Sequence, residues 1–491
     1  MDMTLQFHGA TEEVTGSCHI LTVNGQQVLL DCGLIQGSKA DALRNHDPLP
    51  FDATQIHAVV LSHAHIDHSG RLPYLIKQGF TGPIYTQKAT AQLCNIMLRD
   101  AAMLQERDTD RQNKKRAKHD LEPLEPLFTE EDVEHVIVQF VEVDYGQRVH
   151  IADAIEICLS DAGHILGSAV VELWLGDKST QKKLVFSGDL GRAGMPILDD
   201  PTFIEQADLV LMESTYGDRT HRSWQETLVE LKSIFKDTIH QSRGNILIPA
   251  FSVGRAQELL YLFHLYAKEW DLSGWRICLD SPMAIKATEV YVNNYPLMDD
   301  DFKRFTRLSP GHHPLLSCAE FINSTEESIE LNEIHKGLII IAGSGMCNGG
   351  RIRNHFVHNL WRKEADIIIC GFQALGTPGR LLVDGADALT IHGQSVKVAA
   401  RLHTVGGLSA HADQTELLCW YQHFNQSPPV ILVHGESKAQ QVLIEALNQH
   451  PAYKPKNSAI AKRGDCLDLN ALPEFVWLNT LSDNPLEPSP S

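Results

Sequence analysis

The sequence predicts an α/β protein, and three observations lead there. Up to about residue 217, short apolar strands separated by turns dominate, with helices lying between them. From about 218 to 405, strands and amphipathic helices alternate, the pattern of a parallel, doubly wound sheet. After about 405 the earlier style returns.

The elements follow in order. Cys18–Val23 and Gln27–Leu30 flank Asn24-Gly25, a dipeptide suited to a tight hairpin turn. The second of these strands ends in Asp31-Cys32-Gly33, and the strand Ala58–Leu61 runs directly into Ser62-His63. Thr90–Lys118 has helical character with a charge run that reads as a solvated face. Val136–Val143, Ala154–Leu159, Val170–Leu175 and Lys183–Phe186 are expected strands, the last leading into Ser187-Gly188-Asp189. In the middle part, helices are expected over Trp224–Gln241 and Gly254–Lys268. Strands are expected over Asn245–Pro249, Ile277–Leu279, Gly337–Ala342 and Ala365–Cys370. Val430–Val433 is a buried strand ending in His434-Gly435, and Ser437–Gln449 is a helix. The end, DNPLEPSPS, has a composition that resists folding.

Composition narrows the function classes. Among 491 residues there are 42 Lys and Arg against 62 Asp and Glu, a net charge of −20, with 25 His. Hydrophobic content of 43% supports a sizeable core and excludes wholesale disorder. The negative charge excludes a protein that coats nucleic acid or anionic membrane by bulk electrostatics. Residues 218–405 hold 20 basic and 21 acidic side chains, and the flanks hold 22 and 41, so the acid lies in the flanks. The ten Cys form no C-x-x-C, which speaks against thiolate zinc ribbons and disulfide frameworks. The N-terminus lacks a basic start and a long apolar stretch, so no signal peptide is expected. The most apolar run, Leu338–Ala342, is far too short for a membrane span.

The strongest chemical signal is His63-Ala64-His65-Ile66-Asp67-His68 after an apolar strand. On an extended segment His63 and His65 project to one side. Asp67 and His68 begin the next turn and face a second point. A single catalytic zinc needs three protein ligands and a water, so four ligands in six residues suggest two metals. Four further residues share one layout, a polar side chain at the end of an apolar strand near Gly: Asp31, His164, Asp189 and His434. Strand-end placement gathers residues distant in sequence onto one rim.

With these residues the chain resembles the metallo-β-lactamase-fold hydrolases, of which HAHIDH is the signature. Motifs of the β-CASP nuclease group follow in order: ESTYGD (Glu213–Asp218), PAFSVGRAQELL (Pro249–Leu260), SPMA (Ser281–Ala284), GSGMCNGGR (Gly343–Arg351), GFQALGTPGR (Gly371–Arg380) and LSAHAD (Leu408–Asp413). The resemblance spans about residues 8–465 and is nearest to RNA-processing members. These include the nuclease subunit of the pre-mRNA 3′-end cleavage factor and its archaeal and bacterial homologues.

The resemblance implies an αββα metallo-β-lactamase domain, residues 1–217 and 406–465, with a β-CASP α/β domain, 218–405, inserted within it. A partly disordered tail, 466–491, follows. It also implies two Zn2+ ions. His63, His65 and His164 would hold one; Asp67, His68 and His434 the other; Asp189 would bridge them, and Asp31 would orient a ligand imidazole through its N–H. His411 would act as general acid with Glu213 behind it, and His434 is typical of RNA-acting members. The implied reaction is hydrolysis of single-stranded RNA to 5′-phosphate and 3′-hydroxyl products, in a cytoplasmic protein without membrane partners, in some relatives a homodimer. Arg255, Ser252, Ser344, Arg351, Arg353 and Arg380 are candidates for RNA phosphates, beside the backbone N–H groups of Gly343–Gly350 and Gly376–Gly379. Domain-interface ion pairs are the structural alternative for those arginines. The competing functions are a DNA-processing nuclease, a small-molecule metallohydrolase and a non-catalytic scaffold. Asp299–Asp301 and His312-His313 lie outside the motifs and carry no functional expectation.

Overall fold

A computed structural model describes residues 2–177, 181–242, 244–308 and 313–478. His312 and the segment 483–491 lie outside these residues.

Two seven-stranded sheets face each other. The first runs, edge to edge, Cys466–Asp468, Met3–Gly9, Cys18–Val23, Gln26–Leu30, Ile56–Val60, Ile84–Thr86 and Phe140–Glu142. The second runs Ser458–Ile460, Val430–Leu432, Leu209–Met212, Lys182–Phe186, Ala169–Leu175, Ile155–Asp161 and Arg148–Ala152. Alternation sets the inward faces: Met3, Leu5 and Phe7 are buried while Thr4 and Gln6 are partly exposed. Leu5, Leu21, Val28 and Val60 of the first sheet share one apolar cluster with Ile157, Val171, Leu184 and Leu211 of the second. Helices cover the outer faces. Lys88–Arg116 and Glu130–Gln139 pack Leu93, Leu98, Val133 and Val136 into one cluster with Ile20, Leu29 and Val59. Gln414–Tyr421 and Ser437–Gln449 place Leu417 and Leu443 beside Val185, Val210 and Leu432. The result is the expected α/β/β/α layering.

A third sheet, six strands all parallel, belongs to the middle of the chain. Its order is Glu320–Phe321, Arg276–Leu279, Leu338–Ala342, Ile246–Pro249, Asp366–Ile369 and Arg401–Thr404. Leu338–Ala342 is buried at every residue, as a strand covered on both faces must be. Its apolar cluster is continuous with that under the Lys88–Arg116 helix, and Asn294 Nδ2 donates to Gln92 Oε1 at 2.7 Å between the two parts.

Two expectations are corrected. Val136–Val143 is not one strand: residues 130–139 are helical and only Phe140–Glu142 is extended. The β-branched run suggested a strand, but Thr129 and Asp132 form a reciprocal capping box. Helical spacing buries Val133 and Val136 and leaves Val138 78% exposed. Cys466–Asp468, assigned from sequence to the tail, pairs with Met3–Gly9 as an edge strand of the first sheet. No helix among the described residues is long and apolar enough to cross a membrane.

Candidate active site

The site lies where strand ends of both facing sheets meet. Ile56–Val60 delivers residues 61–65, and a single turn of helix, Ile66–Ser69, carries Asp67 and His68. Opposite, Ile155–Asp161, Lys182–Phe186, Leu209–Met212 and Val430–Leu432 deliver His164, Asp189, Glu213 and His434. Asp31 and His434 both sit at left-handed backbone angles, φ 57° and 50°. Such strain in non-glycine residues gathers at functional sites. At Gly33 a Cβ would lie 1.6 Å from the Asp67 carbonyl oxygen, so the chain turns under the hexapeptide only with glycine there.

Two donor clusters share one carboxylate. His65 Nδ1 is 3.1 Å from both His63 Nε2 and His164 Nε2. Asp189 Oδ2 is 3.4 Å from His63 Nε2 and 3.6 Å from His164 Nε2. In the second cluster His68 Nε2 is 3.0 Å from His434 Nε2, and Asp67 Oδ2 is 3.5 Å from the latter. Asp189 Oδ1 is 3.3 Å from His68 Nε2. Each set of ligand atoms fits within 4.8 Å, the spacing a metal ion requires. All seven sequence-predicted ligands are therefore brought together, with Asp189 between the clusters.

Electrostatics favours bound cations. Asp31, Asp189 and Glu213 are at most 2% exposed, yet among the described residues no Lys or Arg pairs with them or with Asp67. Buried carboxylates need positive partners. Asp189 Oδ1 is buried and, among the described residues, accepts no hydrogen bond. Burial pushes the His63, His65 and His164 imidazoles below their usual range, His65 to about 3, which keeps them neutral and suited to ligation. Burial acts the same way on His68, but the Asp189 and Asp31 carboxylates outweigh it and raise the group well above the ordinary value. This donor set fits metal ions of the kind that imidazole and carboxylate bind, zinc among them.

Asp31 lies behind His68, its Oδ2 2.7 Å from Nδ1, and it accepts bonds from Ser17 Oγ, Ser62 Oγ and Ser62 N. Sequence reasoning missed Ser62 and two other supports. Thr215 Oγ1 is 3.0 Å from His434 Nδ1, and the Ala410 carbonyl is 3.2 Å from His164 Nδ1. Ser62 and Thr215 adjoin recognised residues in HAHIDH and ESTYGD, which is the signal that was available.

His411 stands at the edge of the cluster. Its Nδ1 is 3.3 Å from both Glu213 oxygens and 3.9 Å from Asp189 Oδ2, and its ring lies 4.5 Å from that of His164. Burial lowers its basicity, but Glu213 and Asp189 dominate and push it up to about 9. Glu213 is held by the Leu190 N–H at 2.6 Å.

The middle part of the chain closes on this rim. The Phe251 ring is 6.4 Å from that of His65, and the Tyr291 hydroxyl accepts from Leu166 N. The phosphate candidates have the following places. Ser252 Oγ lies 3.3 Å from Ser281 Oγ, past the ends of two strands that flank Leu338–Ala342, and Ser344 Oγ bonds within its own loop to Gly349. Arg255 is buried against Glu258. Arg351 donates to Asp280 and to the carbonyls of Ile322 and Asn323. Arg353 donates to the Asn348 carbonyl, and Arg380 pairs with Asp384. Asp299 accepts from Phe302 N at a helix start, in keeping with a structural turn.

Comparison with known proteins agrees with this geometry. The chain matches the Metallo-beta-lactamase superfamily domain over residues 20–212, the Beta-Casp domain over 256–382 and the Zn-dependent metallo-hydrolase RNA specificity domain over 395–455. It is 37% identical over 458 residues to Ribonuclease TTHA0252 of Thermus thermophilus, covering 93% of this chain and 98% of that one. The chain belongs to the metallo-β-lactamase-fold β-CASP ribonuclease family. Transcription termination factor FttA of Pyrococcus abyssi is 31% identical over 449 residues, and that of Methanocaldococcus jannaschii 29% over 442. These cover 87% and 88% of this chain but only 66% and 67% of theirs, so this β-CASP chain spans about two thirds of the archaeal relatives. A crystal structure of a protein of unknown function from Enterococcus faecalis V583 superposes with TM-score 0.52 at 14% identity, over 96% of this chain and all of that one, and shares the fold.

Proposed function

We propose that this β-CASP protein is a di-zinc ribonuclease that cleaves single-stranded RNA to 5′-phosphate and 3′-hydroxyl products. The carrying observation is the pair of His and Asp clusters joined by Asp189, with the His411–Glu213 pair beside them. His63, His65 and His164 would hold one ion and Asp67, His68 and His434 the other. Ions so placed supply Lewis acidity, activating water and offsetting phosphoryl charge.

The chain's own groups do the rest. Glu213 holds His411 through Nδ1, leaving Nε2 as the nitrogen that gives its proton to the departing 3′-oxygen. Asp31 fixes the His68 ring so that Nε2 faces the cluster. Ser252 and Ser344 offer hydroxyls to RNA phosphates. Arg353 and Arg380, each only partly buried, can swing to phosphates, whereas Arg255 and Arg351 are fixed by Glu258 and Asp280 and shape the loops around them. Phe251 beside His65 narrows the entrance, which supports an unpaired strand over a duplex.

The test is a time course on RNA labelled at either end, single-stranded and duplex, beside DNA of the same sequence. The expected result is cleavage of single-stranded RNA only, lost in the Asp67→Ala/His68→Ala double variant. Equal rates on duplex RNA or on DNA would overturn the substrate assignment. Cleavage by the double variant would overturn the site.

A further inference from the structure

Two chain crossings connect the facing sheets with the third. The outgoing one is residues 213–223, and the return one is residues 405–413, which carries His411. They run side by side. Tyr216 bridges to Asp413, His221 N donates to Asp413 Oδ2 at 2.7 Å, and Gln414 donates to the carbonyls of Arg219 and Gly217.

Arg192, in the loop just past Asp189, grips both. It is 7% exposed. One guanidinium nitrogen donates to the Gly407 carbonyl at 2.5 Å and the other to the Arg222 carbonyl at 3.2 Å, with Nε 3.6 Å from Glu416 Oε2. From the opposite side Thr227 closes on the return crossing: a Cβ at Gly407 would lie 1.7 Å from Thr227 Oγ1. The same loop touches the acid pair itself. Leu190 N donates to Glu213, and the Leu190 carbonyl accepts from Ala412 N at 2.8 Å. Residues 189–192 thus contact the metal ligand set, Glu213, the neighbour of His411 and both crossings.

We propose that Arg192 is a positioning residue for proton transfer. It locks the return crossing to the Asp189 loop, so that His411 keeps its place against Glu213 and the cluster. A planar fork aims two nitrogens at two carbonyls at once while its charge faces the Glu416 carboxylate, which an ammonium cannot match. The inference rests on His411 acting as the acid in the ribonuclease reading.

Three variants test it: Arg192→Ala, Arg192→Lys and Gly407→Ala, the last leaving every charge in place. Each is assayed for bound zinc, for kcat and KM on single-stranded RNA, and for hydrolysis of bis(p-nitrophenyl) phosphate. Nitrophenolate is a stable anion that departs without a proton, so this diester does not need the acid. Arg192→Ala should lower kcat on RNA roughly tenfold to hundredfold, part of the ~10²–10⁴ that a general acid contributes. KM, zinc content and nitrophenyl-ester hydrolysis should stay within about twofold, since the metal ligands are untouched and the nitrophenyl ester needs no proton donor. Arg192→Lys should recover part of the loss, and Gly407→Ala should show the same split. Equal loss on both substrates, loss of zinc, or unchanged RNA cleavage would each overturn the proposal. If Arg192→Ala does not fold, the split in Gly407→Ala and Arg192→Lys decides it. A wild type inactive on RNA would instead sink the ribonuclease reading.

Discussion

The molecule buries two kinds of carboxylate–imidazole cluster, and they are built differently. In the third sheet, Asp280 is met by Arg351, His355 and Ser328, and Asp366 by Arg401, His403 and Thr238. Each carboxylate there has a guanidinium partner. Around Asp189 five imidazoles converge with Asp67 and, among the described residues, no Lys or Arg, and Asp189 Oδ1 makes no hydrogen bond there. The first kind is closed in that it pairs each carboxylate with a guanidinium; the second, among the described residues, offers its carboxylates imidazoles alone as cationic partners. Counting guanidinium partners therefore separates structural from metal-binding clusters where burial and residue type do not.

The sharpest way to break this contrast is to remove one carboxylate from each cluster. Asp189→Ala should abolish RNA cleavage and release metal, measured by elemental analysis, while leaving melting of the apo protein unchanged or raised. Asp280→Ala should keep metal but destabilise the fold by about 3–5 kcal/mol, because the buried His355 and the half-buried Arg351 lose their anion. Metal loss from Asp280→Ala, or its retention by Asp189→Ala, would show that the two clusters are not distinct.

A smaller effect separates the acid from the ligands. His411→Ala should cut kcat on RNA by roughly 10²–10⁴ while two equivalents of zinc remain. If zinc is lost as well, His411 belongs to the ligand set. Smaller again is Asp31→Asn, which weakens the hold on the His68 ring. It should reduce metal affinity by roughly 10–100-fold, read by chelator competition, with little change in kcat at saturating zinc.

How much of this was legible follows from where the partners lie. The hexapeptide places four ligands within six residues, and the remaining ligands stand at strand ends beside glycine, so the metal cluster could be read from sequence. The alternation of strands and helices over 218–405 likewise gave the parallel sheet. The closed clusters were legible only in part: Arg351 stands in GSGMCNGGR with an ion pair as its structural alternative, but nothing marks Asp280, 71 residues away, as the partner, and Asp366 meets Arg401, 35 residues away, outside any motif. Arg192 was invisible for the same reason: its acceptors are backbone carbonyls 215 and 30 residues distant, and a carbonyl has no sequence signature. Over Val136–Val143 the β-branched residues favour a strand, but the capping box at Thr129 and Asp132 starts a helix that runs to Gln139.

The smallest predicted effect concerns salt, and it turns on the arginines. The net charge of −20 lies almost wholly in the flanking parts, 22 basic against 41 acidic side chains, while residues 218–405 are near neutral. Within the candidate phosphate set, Arg255 and Arg351 already neutralise Glu258 and Asp280, so they add no net positive field for RNA. Arg353, bonded only to a carbonyl, and Arg380, whose ion pair with Asp384 is open to solvent, remain able to exchange those partners for phosphates. Two phosphate contacts on a single strand give a slope near −1.4 in log affinity against log salt, so raising salt from about 50 to about 200 mM should weaken RNA binding about sevenfold. Four contacts would give a slope near −2.8 and a loss of about 50-fold over the same range. A loss of that size would mean that Arg255 and Arg351 leave their carboxylates for RNA, which would turn the closed cluster at Asp280 into part of the binding surface.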